Sequence, residues 1–309
     1  MYEAFYDLKA KPFNLSPDPR FIYFTKGHSE ALSSLVYAIR ERKGFLALCG
    51  EVGTGKTTLV HALRDLLEKV GISSAFIFSP MVSRSEFFEC LLNAFDLKGD
   101  FASTVQALNE VNILLLERYI QGRVTVLIID EAQNLSDEIL EEIRLLTNLE
   151  TSTEKLLQVI LVGQPELSSR LDSPRLRQLK QRISLRCSLE PLTLSETAEY
   201  IRTRLRIAGL ANQAIFSDSC IAEIYRCSGG IPRLVNTICD NALATGFASD
   251  LKIIDLEIID EVTEDLRLSA RQKPELFSRT GTAEVARETL PQNLLSTRTG
   301  RLRKMFSSS

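Results

Sequence analysis

The feature that most constrains this 309-residue chain is a glycine-rich segment between an apolar run and a helical pattern. Residues 45–48 (FLAL) lead into residues 50–57 (GEVGTGKT), and residues 58–70 then carry apolar side chains at helical spacing. The spacing G-x-x-x-x-G-K-[ST] between a strand and a helix is typical of a phosphate-binding loop, or P-loop. Glycines let backbone N–H groups surround phosphate oxygens, and the helix N-terminus adds partial positive charge. The segment therefore predicts a site for a nucleoside triphosphate.

Individual positions of this loop have expected roles. Lys56 would reach the β- and γ-phosphates, and the Thr57 hydroxyl would bind Mg²⁺. The predicted nucleotide-binding residues of the loop are Gly50, Glu51, Val52, Gly53, Thr54, Gly55, Lys56, Thr57 and Thr58.

A second apolar run ends in two acidic residues. Residues 124–129 (VTVLII) favour a parallel strand buried on both faces, and Asp130 and Glu131 follow directly. Ligands of open α/β sheets bind beyond the carboxyl ends of the strands. We therefore expect Asp130 to bind Mg²⁺ through its water shell and Glu131 to orient and deprotonate the attacking water. The alternative is a surface turn with two solvated acids.

A third apolar run, residues 156–163, ends at Gln164. The Gln164 side chain would touch the γ-phosphate or the attacking water, or it would simply bind backbone as a loop amide. The segment that follows is basic, which is usual for a solvated face, and leads into a strand at 183–189. Its basic residues are Arg170, Arg175, Arg177, Lys180, Arg182 and Arg186.

The chain divides into four predicted segments. Residues 1–29, rich in proline and aromatic residues, form a strap that packs onto the core, lines the nucleotide-base pocket, or does both. Residues 30–191 form an α/β core with a parallel sheet, and residues 192–268 form a small all-α lid. Residues 269–309, with eight Lys and Arg against three acids, are predicted to be a basic, largely disordered tail. Predicted helices cover 29–41, 58–70, 85–97, 104–121, 195–206, 217–227, 232–248 and 255–266, and a further strand covers 75–79.

Composition narrows the function classes. The net charge of −3 argues against a globally basic nucleic-acid binder, although a local basic patch is compatible with it. No apolar run approaches 18 residues, and the N-terminus lacks the apolar region of a signal peptide. Six dispersed cysteines are expected to be reduced, and two histidines are too few for a histidine-based metal site. We therefore expect a cytoplasmic protein.

The order of these motifs is that of an AAA+ ATPase, and several stretches are more specific. They are 1–6 (MYEAFY), 12–13 (PF), 16–21 (SPDPRF), 50–53 (GEVG), 130–135 (DEAQNL), 163–167 (GQPEL) and 229–236 (GGIPRLVN). Over residues 1–266 the chain resembles the ExeA (general secretion pathway protein A) family. The ATPases encoded with exosortase and exopolysaccharide systems share this core.

The resemblance implies further site residues. Gln164 matches the family's sensor-1 position, and Arg233 matches the sensor-2 arginine, which reaches from the lid to the nucleotide phosphates. A salt bridge within the lid is the alternative role for Arg233. Arg182 matches the arginine finger that acts on a neighbouring subunit's nucleotide, with Arg177 and Arg186 as competitors.

The function implied is Mg²⁺-dependent ATP hydrolysis by a homo-oligomer that powers or regulates an envelope secretion or exopolysaccharide–exosortase system. Longer family members add a transmembrane helix and a peptidoglycan-binding domain. We expect this chain to act without them, either alone or docked peripherally at the inner membrane on secretion or export components through its lid or tail. The alternatives are a DNA-binding ATPase similar to transposition helpers and an ATP-switched regulator with negligible turnover.

Overall fold

Five parallel strands form one sheet in the order β2-β3-β4-β1-β5. The strands are β1 (Phe45–Gly50), β2 (Ser73–Ile77), β3 (Thr125–Ile129), β4 (Leu157–Gly163) and β5 (Ile183–Leu189). Every residue of β3 and β4 is buried, as their continuous apolar sequences predict. Because all five strands run in the same direction, the residues that follow β1, β3 and β4 meet at one edge of the sheet.

The computed structural model describes residues 2–15, 18–78, 83–98, 103–210 and 214–268. The predicted tail (269–309) lies outside the described residues, and so does Ser79 at the end of a predicted strand. In the part of the chain that is described, no helix has the length and apolar character needed to cross a bilayer.

Twelve α-helices occur in the described ranges. They are α1 (Tyr2–Phe5), α2 (Lys26–Arg40), α3 (Lys56–Lys69), α4 (Arg84–Ala94), α5 (Thr104–Ile120), α6 (Asp137–Leu146), α7 (Pro165–Leu171), α8 (Arg177–Lys180), α9 (Leu194–Ile207), α10 (Asp218–Ser228), α11 (Pro232–Ala248) and α12 (Leu256–Asp265). The predicted bounds of the long helices hold within about three residues. Helix α2 begins earlier than predicted because the Thr25 side chain accepts a hydrogen bond from the backbone N–H of His28 and caps it.

Helix α6 was not predicted, although its sequence carries the usual signals. Ser136 caps its first turn by accepting from the N–H of Ile139, and Asp137 supplies negative charge there. Its apolar residues recur at helical spacing and are buried against the sheet: Ile139, Leu140, Ile143 and Leu146. Helix α7 is also new, with Pro165 at a favoured first-turn position.

The sheet is covered on both faces, and a separate apolar cluster fills the lid. One face packs against α4–α8 and the other against α2 and α3. Among the aromatic residues of the strap, Phe24 packs against the sheet cluster of α2 and α3. Tyr2, Tyr6, Leu8, Phe13 and Phe21 are instead buried among the lid helices. The strap therefore packs mainly onto the lid, and Phe24 connects it to the α/β core.

Two glycines lie where the lid meets the end of the core. The backbone N–H of Leu192 donates to the carbonyl of Gly230 at 2.8 Å. Gly230 has φ +74°, and a Cβ there would lie 2.0 Å from the Leu192 carbonyl oxygen. The neighbouring Gly229 also has positive φ (+60°), but a Cβ there would meet nothing within 4 Å. Only glycine fits position 230 without displacing the backbone of the core–lid connection.

We predict that Gly230→Ala destabilises the protein much more than Gly229→Ala. Both changes impose the cost of a side chain at positive φ, about 1–2 kcal/mol. Gly230→Ala adds a backbone clash, and its total loss should reach about 3 kcal/mol or more. Denaturant unfolding of the two variants measures the difference, and equal losses would contradict the close approach at Leu192.

Candidate nucleotide-binding site

The P-loop joins the end of β1 to the start of α3. Gly53 and Gly55 both adopt left-handed conformations, with φ of +86° and +97°, which side chains disfavour. The Thr54 hydroxyl donates to the Glu51 carbonyl at 2.9 Å and ties the loop across its own turn. The glycines that the sequence pattern singled out are therefore required by the backbone geometry.

The Lys56 side chain is buried inside this loop. Its Nζ donates to the carbonyls of Gly50 at 2.7 Å and Glu51 at 2.9 Å. Burial lowers the pKa of Lys56, and the nearby carboxylates of Glu131 and Asp130 act in the opposite direction. The ammonium group is thus held under the loop, beside the edge of the sheet where the acids lie.

His28 supports the loop from α2, a role that sequence reasoning missed. Its Nε2 donates to the Thr54 carbonyl at 2.9 Å, so Nδ1, 2.7 Å from the Thr25 hydroxyl, accepts from that group. A Cβ at Gly55 would lie 3.0 Å from the same Nε2. Burial lowers the pKa of His28 and favours the neutral ring. A lone histidine 26 residues before Thr54 carries no sequence signal for this contact.

Asp130 and Thr57 lie side by side at the end of β3. The Thr57 Oγ1 donates weakly to Asp130 Oδ2 at 3.5 Å, and the N–H of Glu131 donates to Asp130 Oδ1 at 2.9 Å. Burial, with the adjacent Glu131 charge, raises the pKa of Asp130. A hydroxyl and a carboxylate oxygen fit Mg²⁺, a cation that prefers oxygen ligands and keeps several of its waters. No group of three or more His, Cys, Asp or Glu residues within the described ranges could hold a metal by itself.

Glu131 is fixed by two glutamines. Its backbone is left-handed, with φ +52°, and its Oε2 accepts from Gln133 Nε2 and from Gln164 Nε2, the latter at 3.2 Å. The Gln133 Oε1 also accepts from the N–H of Gln164 at 3.1 Å. These bonds connect the ends of β3 and β4 through the carboxylate expected to activate water.

Gln133 was not predicted as a site residue, although it lies in the DEAQN stretch. A Cβ at Gly163 would come within 2.7 Å of its Oε1, so that glycine makes room for it. Arg170 holds the same turn by donating to the Gln133 carbonyl and to Asp137 Oδ1, both at 2.7 Å. Arg170 is therefore a structural residue.

Ion pairs engage part of the remaining basic segment. Lys180 and Arg186 both pair with Asp172, at 2.9 and 3.1 Å. Arg175 and Arg177 are exposed, and neither has an ion pair with a residue in the described part of the chain. With Arg170, three of the six basic residues of the segment are thus paired, and Arg175 and Arg177 are accessible.

Arg182 lies at the opposite edge of the sheet from the P-loop. It directly precedes β5, whose seven residues span about 20 Å and end beside Gly50. Its Nη1 donates to the Thr147 hydroxyl at 3.3 Å. A side chain in this position cannot reach the P-loop of its own chain.

A cavity of about 680 Å³ adjoins the P-loop and is bounded by three parts of the chain. Its wall includes the P-loop, strap residues and lid residues, among them Arg233. The N–H of Arg233 approaches the Gly53 carbonyl at 3.4 Å, and a Cβ at Gly53 would lie 2.8 Å from the Arg233 Cβ. The strap thus lines the cavity as well as packing on the lid, and the lid contacts the P-loop directly.

Residues 39–171 match the family model described as an AAA domain. The chain contains an AAA domain. Over 249 residues it is 42% identical to general secretion pathway protein A of Aeromonas hydrophila, an alignment that covers 80% of this chain and 45% of that protein. The chain therefore spans less than half the length of that relative. The similarity confirms the resemblance inferred from the sequence motifs.

Solved structures of low sequence identity share the fold. Cdc6p of Pyrobaculum aerophilum matches with a TM-score of 0.62 at 17% identity, over 81% of this chain and 71% of that chain. The Aeropyrum pernix ORC2 protein, solved as ADPNP and ADP complexes, matches with a TM-score of 0.59 at 15% identity, over 83% and 72%. These likenesses confirm the predicted fold class, an α/β P-loop core followed by a helical region. The roles of individual site residues stay predictions.

We predict that His28 makes stability pH-dependent. Because burial lowers its folded pKa below the usual value of about 6.5, its contribution to stability is present above that pH. It is lost as pH falls through the unfolded pKa towards the folded one. Denaturant unfolding between about pH 7.5 and 5.5 should show this loss in the wild type and a flatter profile in His28→Gln. His61→Gln, at an exposed position, is the matched control. An unchanged profile in His28→Gln would contradict the prediction.

Proposed function

We propose that this protein is a Mg²⁺-dependent ATPase. The observation that carries the proposal is the convergence on one cavity edge of the P-loop, an acid-tipped strand, an amide-tipped strand and an arginine from the lid. Each group is of the chemical type that phosphoryl transfer to water requires. The residues concerned are Lys56, Thr57, Asp130, Glu131, Gln164 and Arg233.

The nucleotide phosphates would bind at the P-loop and the N-terminus of α3. Gly53 and Gly55 open the loop so that backbone N–H groups can face phosphate oxygens, and Lys56 contributes a buried positive charge. Arg233 is near enough to the loop, through its backbone contact with Gly53, to reach the phosphates from the lid. The nucleoside would then lie between strap and lid.

Thr57 and Asp130 would hold Mg²⁺, which when bound neutralises the negative charge that builds up on the phosphates. Glu131 would accept the proton of the attacking water. The two glutamine amides that donate to its carboxylate fix its orientation and leave its other oxygen available. Gln164 would contact the water or the γ-phosphate from the same edge.

The position of Arg182 favours a homo-oligomer. At the sheet edge remote from its own P-loop, it could act only on the nucleotide of a neighbouring copy. Arg177, exposed at the start of α8, is the stronger rival, since Arg186 is held by Asp172. An arginine from a second subunit would stabilise the negative charge of the transition state.

The similarity to general secretion pathway protein A supports a role in an envelope secretion or exopolysaccharide–exosortase system. ATP-driven movement of the lid would act on membrane-associated components of that system, contacted through the lid or through residues 269–309. A DNA-binding role has weaker support, because the net charge is −3 and three of the six basic residues of the 170–186 segment are held in ion pairs.

We predict that Glu131→Gln retains ATP binding and loses at least about 100-fold in turnover, because the general base is removed while its size is kept. Steady-state phosphate release measures turnover, and calorimetry measures ATP affinity. Glu166→Gln makes the same chemical change at an exposed neighbouring position and should be unaffected. Unchanged hydrolysis in Glu131→Gln would overturn the assignment.

Mixing experiments test the trans arginine. Arg182→Ala alone should lose hydrolysis, and mixing it with Lys56→Ala subunits should restore part of the activity. The first variant keeps an intact P-loop, and the second supplies the missing arginine from a subunit that cannot itself turn over ATP.

Arg177→Ala mixed in the same way is the comparison, and rescue confined to Arg177→Ala would move the role to that residue. Arg175→Ala serves as the control, as an exposed arginine of the same segment. Failure of all mixtures to regain activity would argue against a trans arginine in this segment.

A further inference from the structure

A buried arginine lies in the lid wall of the cavity. Arg204, on α9, is 7% exposed. It forms no ion pair with any carboxylate in the described part of the chain, although Asp18 of the strap is near enough to interact with it electrostatically. Burial of a guanidinium that is not hydrogen-bonded to a carboxylate is costly unless its N–H groups donate to other acceptors. The position of this guanidinium in the wall of a ligand cavity therefore suggests a role for Arg204 in the site.

The Arg204 guanidinium is satisfied by neutral groups from two segments. Its Nε donates to the Pro12 carbonyl of the strap at 2.5 Å, and its Nη1 donates to the Tyr200 hydroxyl at 2.9 Å. It also lies over the rings of Phe21 and Tyr200, with centroid distances of 5.1 and 5.3 Å. Arg204 thus ties the strap to α9.

The hydrogen bonds continue from α9 to α11. The Tyr200 hydroxyl donates to Asn236 Oδ1 at 2.9 Å, and burial raises the pKa of Tyr200, which keeps that proton in place. Asn236 lies three residues after Arg233, so both face the same side of α11. The series therefore runs from the strap backbone to the helix that carries the proposed sensor arginine.

The three side chains of this series, Arg204, Tyr200 and Asn236, line the same cavity as Lys56. Arg233 adjoins the P-loop, whereas Arg204 contacts Pro12 and Phe21 of the strap. The phosphates would occupy the P-loop end of the cavity, and the nucleoside attached to them would occupy the Arg204 end.

We propose that Arg204, Tyr200 and Asn236 form a positioning network that shapes the nucleoside end of the cavity and gives the site its preference for a nucleotide over a bare polyphosphate. This inference rests on the proposed nucleotide-binding function and extends it. The network acts through the walls it fixes, the strap on one side and α11 on the other.

Tyr200→Phe is the sharpest test, because it removes one oxygen and leaves the ring packing. The change deletes both the acceptor of Arg204 Nη1 and the donor to Asn236. Calorimetry with Mg²⁺ would compare two probes, the non-hydrolysable analogue adenosine 5′-(β,γ-imido)triphosphate and inorganic tripolyphosphate. We expect affinity for the analogue to fall about 5- to 10-fold, as for loss of a buried hydrogen bond, with tripolyphosphate changed less than about twofold.

Tyr225→Phe, on α10 of the same lid, is the matched control and should alter neither affinity. Arg204→Lys keeps the charge but cannot donate to Pro12 and Tyr200 together, so its loss for the analogue should be at least as large. Melting temperatures of the variants, measured alongside, identify any that fail to fold.

Equal weakening of both probes by Tyr200→Phe would indicate a merely structural role and overturn the inference. So would unchanged affinity for the analogue in both variants, or a wild type that binds the analogue no better than tripolyphosphate. Because binding of the analogue requires no turnover, a wild type that binds it selectively but does not hydrolyse ATP would contradict the proposed ATPase activity alone.

Discussion

The contact between the lid and the P-loop is the constraint on which the rest of the site depends. Gly53 is a glycine both because its φ is +86° and because the Arg233 Cβ and the Ile231 side chain leave no room for a Cβ there. On the other side of the loop, His28 fills the space beside Gly55. The phosphate-binding backbone is therefore held between α2 of the core and α11 of the lid. A displacement of either helix changes the loop that would bind the nucleotide.

The strap extends this coupling through the lid. Its aromatic side chains complete the apolar core of the lid, and its Pro12 carbonyl is bound by Arg204. Because α9, α11 and the strap share one buried cluster, they should move together as a unit relative to the sheet. A nucleotide that bridges the P-loop and the strap would thereby link the sheet to the whole lid. This arrangement suits a protein that converts hydrolysis into lid movement.

Patterns that are local in the sequence predicted the sheet, the P-loop and the polar residues that follow β3 and β4. The apolar runs before Asp130 and Gln164 fix two buried parallel strands, and parallel strands bring their carboxyl ends to one edge. His28, Gln133 and the Arg204 network could not be predicted in this way. Their contacts join segments as far apart as Pro12 and Arg204, so only tertiary packing brings them together. Helix α6 is different, since its cap and apolar spacing were readable in the sequence and were overlooked.

The charges of the site suit the joint binding of an anionic polyphosphate and a divalent cation. Lys56 and Asp130 are both buried, and burial moves the pKa of each towards its neutral form. Each opposes that tendency in the other, but no hydrogen bond joins them among the described contacts. A polyphosphate beside Lys56 would supply negative charge, and a divalent cation beside Asp130 would supply positive charge. Binding the two together would favour the charged form of both residues. The affinity of the site for the phosphates and its affinity for the cation should therefore depend on each other.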